Sequence, residues 1–172
     1  MKKLMAVLLG LACVGCDYTV PLVTSPQLPI DRQLVGLWER VDGGGPKEQL
    51  LVLPSGKCEY SITCPVASTN GMVGRACLAQ AVGKMLVQIE WLGTTDGSLP
   101  ENERVYQYAS YAIKGAELEV RLISGAVVSK DVKTAADLTK SLEANKDKQD
   151  LFCAPMTFKK LVKVPAVDPA TK

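Results

Sequence analysis

Between Leu34 and Ser124 the chain repeats one pattern: short runs in which apolar and polar side chains alternate, separated by turn residues. Period two marks a β-strand with one buried and one wet face, because successive side chains point to opposite sides of the backbone. In the run 57–63, Cys58, Tyr60 and Ile62 share one side, while Lys57, Glu59 and Ser61 share the other. In 84–91 the inward row is Met85, Val87, Ile89 and Trp91, and in 117–122 it is Leu118, Val120 and Leu122. Further strands are expected at 34–41, 48–53, 74–81 and 104–113, with a final one at 156–162. Pro54-Ser55-Gly56, Gly83 and Lys114-Gly115 fall between runs, where hairpins need residues that reverse the chain. Strands joined so tightly pair antiparallel, and a sheet with one apolar face must curl shut to hide it. The expectation is a mainly β domain over 34–162, an antiparallel meander of about eight strands closed into a small barrel.

One helix interrupts this pattern before the last strand. Thr134 is placed to cap it, with Asp137 three positions on as an acidic capping partner. Ala135, Leu138 and Leu142 fall on one stripe, while Lys140, Glu143 and Lys146 face water. The helix is expected to end near Asn145, a residue suited to a C-terminal cap, after which Leu151 and Phe152 turn inward.

The N-terminus has a different logic. Met1-Lys2-Lys3 is a positive start, Leu4 to Leu11 is an apolar core too short to remain as a membrane span, and small residues follow. That is the layout of a secretory signal over 1–15. The stretch Cys13-Val14-Gly15-Cys16 resembles the lipobox of bacterial lipoproteins, with Cys13 standing where Leu is usual. The resemblance implies cleavage before Cys16 and attachment of diacylglycerol to its sulfur. Gly10-Leu11-Ala12-Cys13 is a second reading, with an unusually short apolar core, and an ordinary cleaved leader is a third. Asp17 beside the lipidated cysteine resembles an inner-membrane retention signal of some bacteria, so inner and outer membrane both stay open. Residues 16–33, with Pro21, Pro26 and Pro29 and no sustained period, read as a flexible tether. The tail 163–172 reads as a frayed end.

Charge and composition narrow the partners. The chain has 20 basic and 18 acidic residues, and removing Lys2 and Lys3 with the leader leaves 18 of each. Nothing in that balance favours nucleic acid. Histidine is absent, which removes the commonest general base and the commonest metal ligand. No pair of carboxylates stands out for acid–base work, so no catalytic residue and no cofactor is assigned.

Past the anchor the chain has four cysteines, Cys58, Cys64, Cys77 and Cys153. In an oxidising compartment an even number suggests two disulfides. A turn near 68–70 would set Cys77 opposite Cys64, leaving Cys58 and Cys153 as the second pair or as buried thiols. These four contain no C-x-x-C spacing, and with no His to complete a site no metal is expected.

Gly36-Leu37-Trp38, opening the first expected strand, resembles the G-x-W signature of lipocalins and their barrel relatives. The resemblance implies that Gly36 bends the chain at the closed end of the barrel. It also implies that Trp38 plugs that end beneath a basic side chain from a late strand, for which Arg121 is the candidate. The candidate ligand-lining residues are Tyr60, Met85, Trp91, Tyr106 and Tyr108; since Tyr111 faces away from Tyr106 and Tyr108, only one set points inward. The expected role is a membrane-anchored, non-catalytic binding module of the cell envelope, taking a small apolar ligand or a periplasmic protein partner. The alternative is an assembly accessory with a filled barrel and no ligand.

Overall fold

The computed structural model describes residues 18–43, 47–100 and 104–162. The leader, Cys16 and the tail 163–172 lie outside the described residues. Eight strands follow in chain order: β1 (Gly36–Arg40), β2 (Gln49–Pro54), β3 (Glu59–Cys64), β4 (Met72–Ala81), β5 (Lys84–Thr94), β6 (Tyr106–Lys114), β7 (Glu117–Leu122) and β8 (Met156–Val162). A helix, α1 (Ala135–Asn145), precedes β8. Each strand pairs antiparallel with the next, and β8 returns to β1, so the sheet is a closed barrel. The two-residue turn Val82-Gly83 between β4 and β5 has positive φ at both residues (49° and 69°). That is the mirror-image turn whose twist matches the flanking strands.

Alternation becomes inside and outside. Val52, Tyr60, Ile62, Ala76, Leu78, Trp91, Leu118 and Phe158 are buried within the barrel, with Val87, Ile89, Tyr111, Ile113 and Val120 packed against them. Met85 and Cys58 depart from the expected inward rows. Met85 sits at the start of β5 and is 39% exposed, and Cys58 lies in the turn before β3.

A second core lies outside the sheet. Leu86 and Tyr108, on the outer face of β5 and β6, pack with Tyr18, Ile123, Val128, Leu138, Leu142 and Leu151. Helix α1 begins as expected: the Thr134 hydroxyl accepts from the Asp137 amide at 3.0 Å and donates to its carboxylate at 2.7 Å. Its Leu138 and Leu142 are fully buried, each contributing about 1.5–3 kcal/mol of apolar burial. The C-cap is Lys146 in the right-handed helical region; Asn145 instead bonds back to the Ser141 carbonyl at 2.7 Å.

The expectation of a flexible tether fails for residues 18–33, which form a strap docked on the barrel. Tyr18 is 1% exposed, exchanges two backbone hydrogen bonds with Tyr106 (3.1 and 3.0 Å), and donates its hydroxyl to the Val128 carbonyl at 3.1 Å. The Tyr108 hydroxyl donates to the Val20 carbonyl. The buried Gln88 amide brackets Val23, accepting from its N–H and donating to its C=O, both at 2.9 Å. Further on, Leu28, Ile30, Leu34 and Val35 join the barrel core at the opposite end. Tyr18, Val20 and Leu22 supply the side chains that hold this segment down. Replacing Tyr18 by Ala is expected to lower unfolding free energy by about 3–5 kcal/mol in a denaturant titration; a residue in a true tether would change it by no more than about 0.5 kcal/mol.

Candidate functional site

Four places on the molecule are candidates for a site: the plugged end of the barrel, its interior, and two grooves on its outer wall.

The plug is built from the turn at 31–35 and the start of β1. Gly36 has φ of 147°, a conformation that residues with a side chain rarely adopt, and it redirects the chain from the plug into β1. Trp38 is fully buried, and its indole N–H donates to the Leu34 carbonyl at 2.8 Å. The cation above the indole is Lys160, with Nζ 4.5 Å from the ring centroid and 2.7 Å from the Gln33 carbonyl. Arg121 does not fill that role. It neighbours the inward Val120 and Leu122 and so points outward, pairing with Glu119 at 2.7 Å. Lys160 is paired across the ladder with Trp38, which the sequence alone does not disclose. Asp31 completes the plug: its amide N–H donates to the Tyr60 hydroxyl oxygen at 2.5 Å, and its carboxylate accepts from the Tyr111 hydroxyl at 3.1 Å.

Inside the barrel the space is filled by side chains. Tyr60 and Trp91, expected to line a ligand cavity, are 1% and 7% exposed and belong to the core. The Trp91 indole donates to the Gln107 side chain at 2.8 Å within it. Tyr106 and Tyr108 lie on the outer face, and Met85 lies in an outer groove, so the five proposed lining residues do not converge.

The first groove, about 490 Å³, runs between strap residues 21–26 and the outer face of β3 to β6. Its floor holds Glu59, Cys77, Gln88, Glu90 and Tyr106, with Arg75 ion-paired to Glu90 at 2.6 Å. It is a hydrogen-bonding cleft, unsuited to a purely apolar ligand. The second, about 600 Å³, lies between the outer face of β5 to β7 and the segment after α1. Lys84, Arg121, Lys146 and Lys148 line it against the single carboxylate of Glu119, and the Lys84 ammonium stands 5.1 Å from the Phe152 ring centroid. This wall favours acidic groups.

No disulfide joins the four cysteines among the described residues, which overturns the expected Cys64–Cys77 bond and the pairing of Cys58 with Cys153. The β3–β4 register sets Cys64 opposite Met72 and Cys77 opposite Glu59. The two are therefore about 17 Å apart along the hairpin, far beyond disulfide reach. They also face opposite sides, Cys64 toward the core and Cys77 into the first groove. Cys58, in the turn before β3, and Cys153, bonded to the Leu122 carbonyl, sit at opposite ends of the barrel. Burial pushes the Cys64 and Cys77 thiols up to about 11, so neither is poised as a nucleophile at neutral pH. No cluster with metal-binding composition occurs among the described residues.

No protein-family model matches the chain, and a search of curated proteins finds no match either.

The contrast between Lys160 and Arg121 is measurable. Lys160→Met is expected to lower stability by about 0.5–2 kcal/mol, as loss of a cation over a buried indole does. Arg121→Ala, which breaks only an exposed pair, should stay within about 0.5 kcal/mol; denaturant midpoints of the two variants check the order. The same buried groups set the alkaline limit. Burial raises Tyr60 to about 12 and holds Tyr108 and Tyr111 above the ordinary phenol value, while Cys64 and Cys77 rise to about 11. The unfolded chain releases these protons first, so stability is intact below about pH 9 and falls as pH rises toward about 12. Melting temperature against pH should show this decline.

Proposed function

We propose that this chain is an exported, lipid-anchored accessory protein of the bacterial envelope, whose filled barrel presents its outer wall to a protein partner. The observation that carries the filled-barrel part is interior burial: Trp38, Tyr60, Ile62, Leu78, Trp91, Leu118 and Phe158 are each 7% exposed or less. A calyx that admits an apolar ligand leaves its lining accessible, whereas an eight-stranded barrel is narrow enough for side chains to fill it. The anchor rests on the sequence, in which a positive start, an apolar core and small residues lead to Cys16. The lipocalin likeness stays a likeness of layout, carried by Gly36, Trp38 and a capping cation, here Lys160. Partner binding is supported by the outer grooves, one hydrogen-bonding and one cationic, of about 490 and 600 Å³. The reading is non-catalytic: histidine is absent, and the groove thiol is held protonated.

Two measurements test it. Labelling with radioactive palmitate should mark the full-length protein and leave Cys16→Ser unmarked; an unlabelled wild-type protein removes the anchor. Free fatty acids should leave the melting temperature of the detergent-purified protein unchanged. A concentration-dependent rise would restore the ligand-binding barrel.

A further inference from the structure

We propose, building on the anchored-lipoprotein reading, that the barrel stands directly on the bilayer with its Tyr18 end against the lipid, seating Leu92 and Leu99 at the headgroup–acyl boundary. The first ground is covalent. Tyr18 is fixed to the body of the domain by its two backbone hydrogen bonds to Tyr106 and its buried ring. Only two peptide steps separate it from Cys16, so the lipidated Cα lies within about 8 Å of the Tyr18 Cα. A diacylglycerol on Cys16 places that cysteine at headgroup depth, since its chains are anchored in the acyl layer. The domain surface around Tyr18 therefore has no slack to stand clear of the membrane.

The second ground is which end this is. Tyr106 is the first residue of β6, so Tyr18 marks the end of the barrel where β5 finishes and the connection 95–105 begins. The plug at 31–35 and Lys160 lie at the other end. Glu90 pairs with Tyr106, and Leu92 is two residues farther along β5 toward the Tyr18 end. Leu99 follows in a connection held by the Thr94 amide bonding to the Ser98 carbonyl at 2.9 Å.

The third ground is what this end exposes. Leu99 is 78% exposed, Val41 52% and Leu92 49%, and all three lie at the Tyr18 end. At the plug end Leu53, Met85 and Leu161 are less exposed, at 39%, 39% and 46%. Isolated apolar side chains on a surface are ordinary. Here the most exposed of them point where the anchor forces contact with lipid, and burying a leucine there adds to the hold of the acyl chains. In this stance the first groove runs up the wall away from the membrane, and the cationic groove opens sideways.

Added tryptophans read the stance. Full-length, lipidated Leu99→Trp and Lys57→Trp, the latter in the turn between β2 and β3 at the plug end, are reconstituted into phosphatidylethanolamine–phosphatidylglycerol vesicles carrying brominated acyl chains. Trp38 and Trp91 are buried in the barrel and give both proteins the same background. Emission from position 99 should shift to the blue and be lost to bromine quenching, while emission from position 57 is unchanged. Quenching at 57, or at neither site, in vesicles that float with bound protein overturns the stance while leaving the anchor in place. Protein that fails to float and carries no lipid on Cys16 overturns the anchor itself, and the stance with it.

Discussion

Closure of β8 onto β1 is the constraint from which the rest of the molecule follows. Once those edges pair, every strand has two neighbours and no backbone edge is left open. The interior is then a fixed, narrow space into which the inward side chains must fit. Two indoles and two phenols enter it, and each polar atom they bring needs a partner. Leu34 and Gln107 accept from the indoles, and Asp31 meets both phenols. The described residues contain no buried side-chain polar atom without a hydrogen bond. A barrel filled in this way leaves its wall and rims as the surfaces open to contact.

The outer wall carries the second consequence. A closed barrel usually shows water its polar face, but here β5 and β6 present Leu86 and Tyr108 outward. That apolar patch needs a cover, and the chain supplies two: helix α1 with its flanking loops, and the N-terminal strap. The strap does three things at once. It buries the patch, forms one side of the first groove, and removes the slack between the domain and the residue proposed as its anchor. A segment that reads as a spacer is thus part of the folded body.

Much of the fold was legible because strand alternation and turns act over a few residues. Tyr60 and Ile62, Ile89 and Trp91, Leu118 and Val120 fall on the inward face that their spacing implies. Thr134 and Asp137 form the helix start that their types imply. The strap was legible in part: Tyr18, Val20 and Leu22 alternate, and Leu86 stands on a face where polar residues are expected. Those two irregularities are halves of one contact, and nothing local links them. Arg121 was excluded by the same alternation that placed Val120 and Leu122 inward. The Cys64–Cys77 pairing rested on a turn position, and a shift of register by a few residues changes both distance and face.

The amino-acid sequence by itself determined which segments are strands, where the chain turns, which face of each strand is apolar, and where the helix starts. These depend on local sterics, capping and side-chain period, all of which are set within a few residues. Only the tertiary structure decided that Lys160 covers Trp38, that the thiols stay apart, that Asp31 joins Tyr60 to Tyr111, and that residues 18–33 lie on the barrel. Each of these joins positions far apart in the chain, and such pairs are chosen by ladder register and by competition to cover apolar surface. That competition is settled only when the whole sheet has closed.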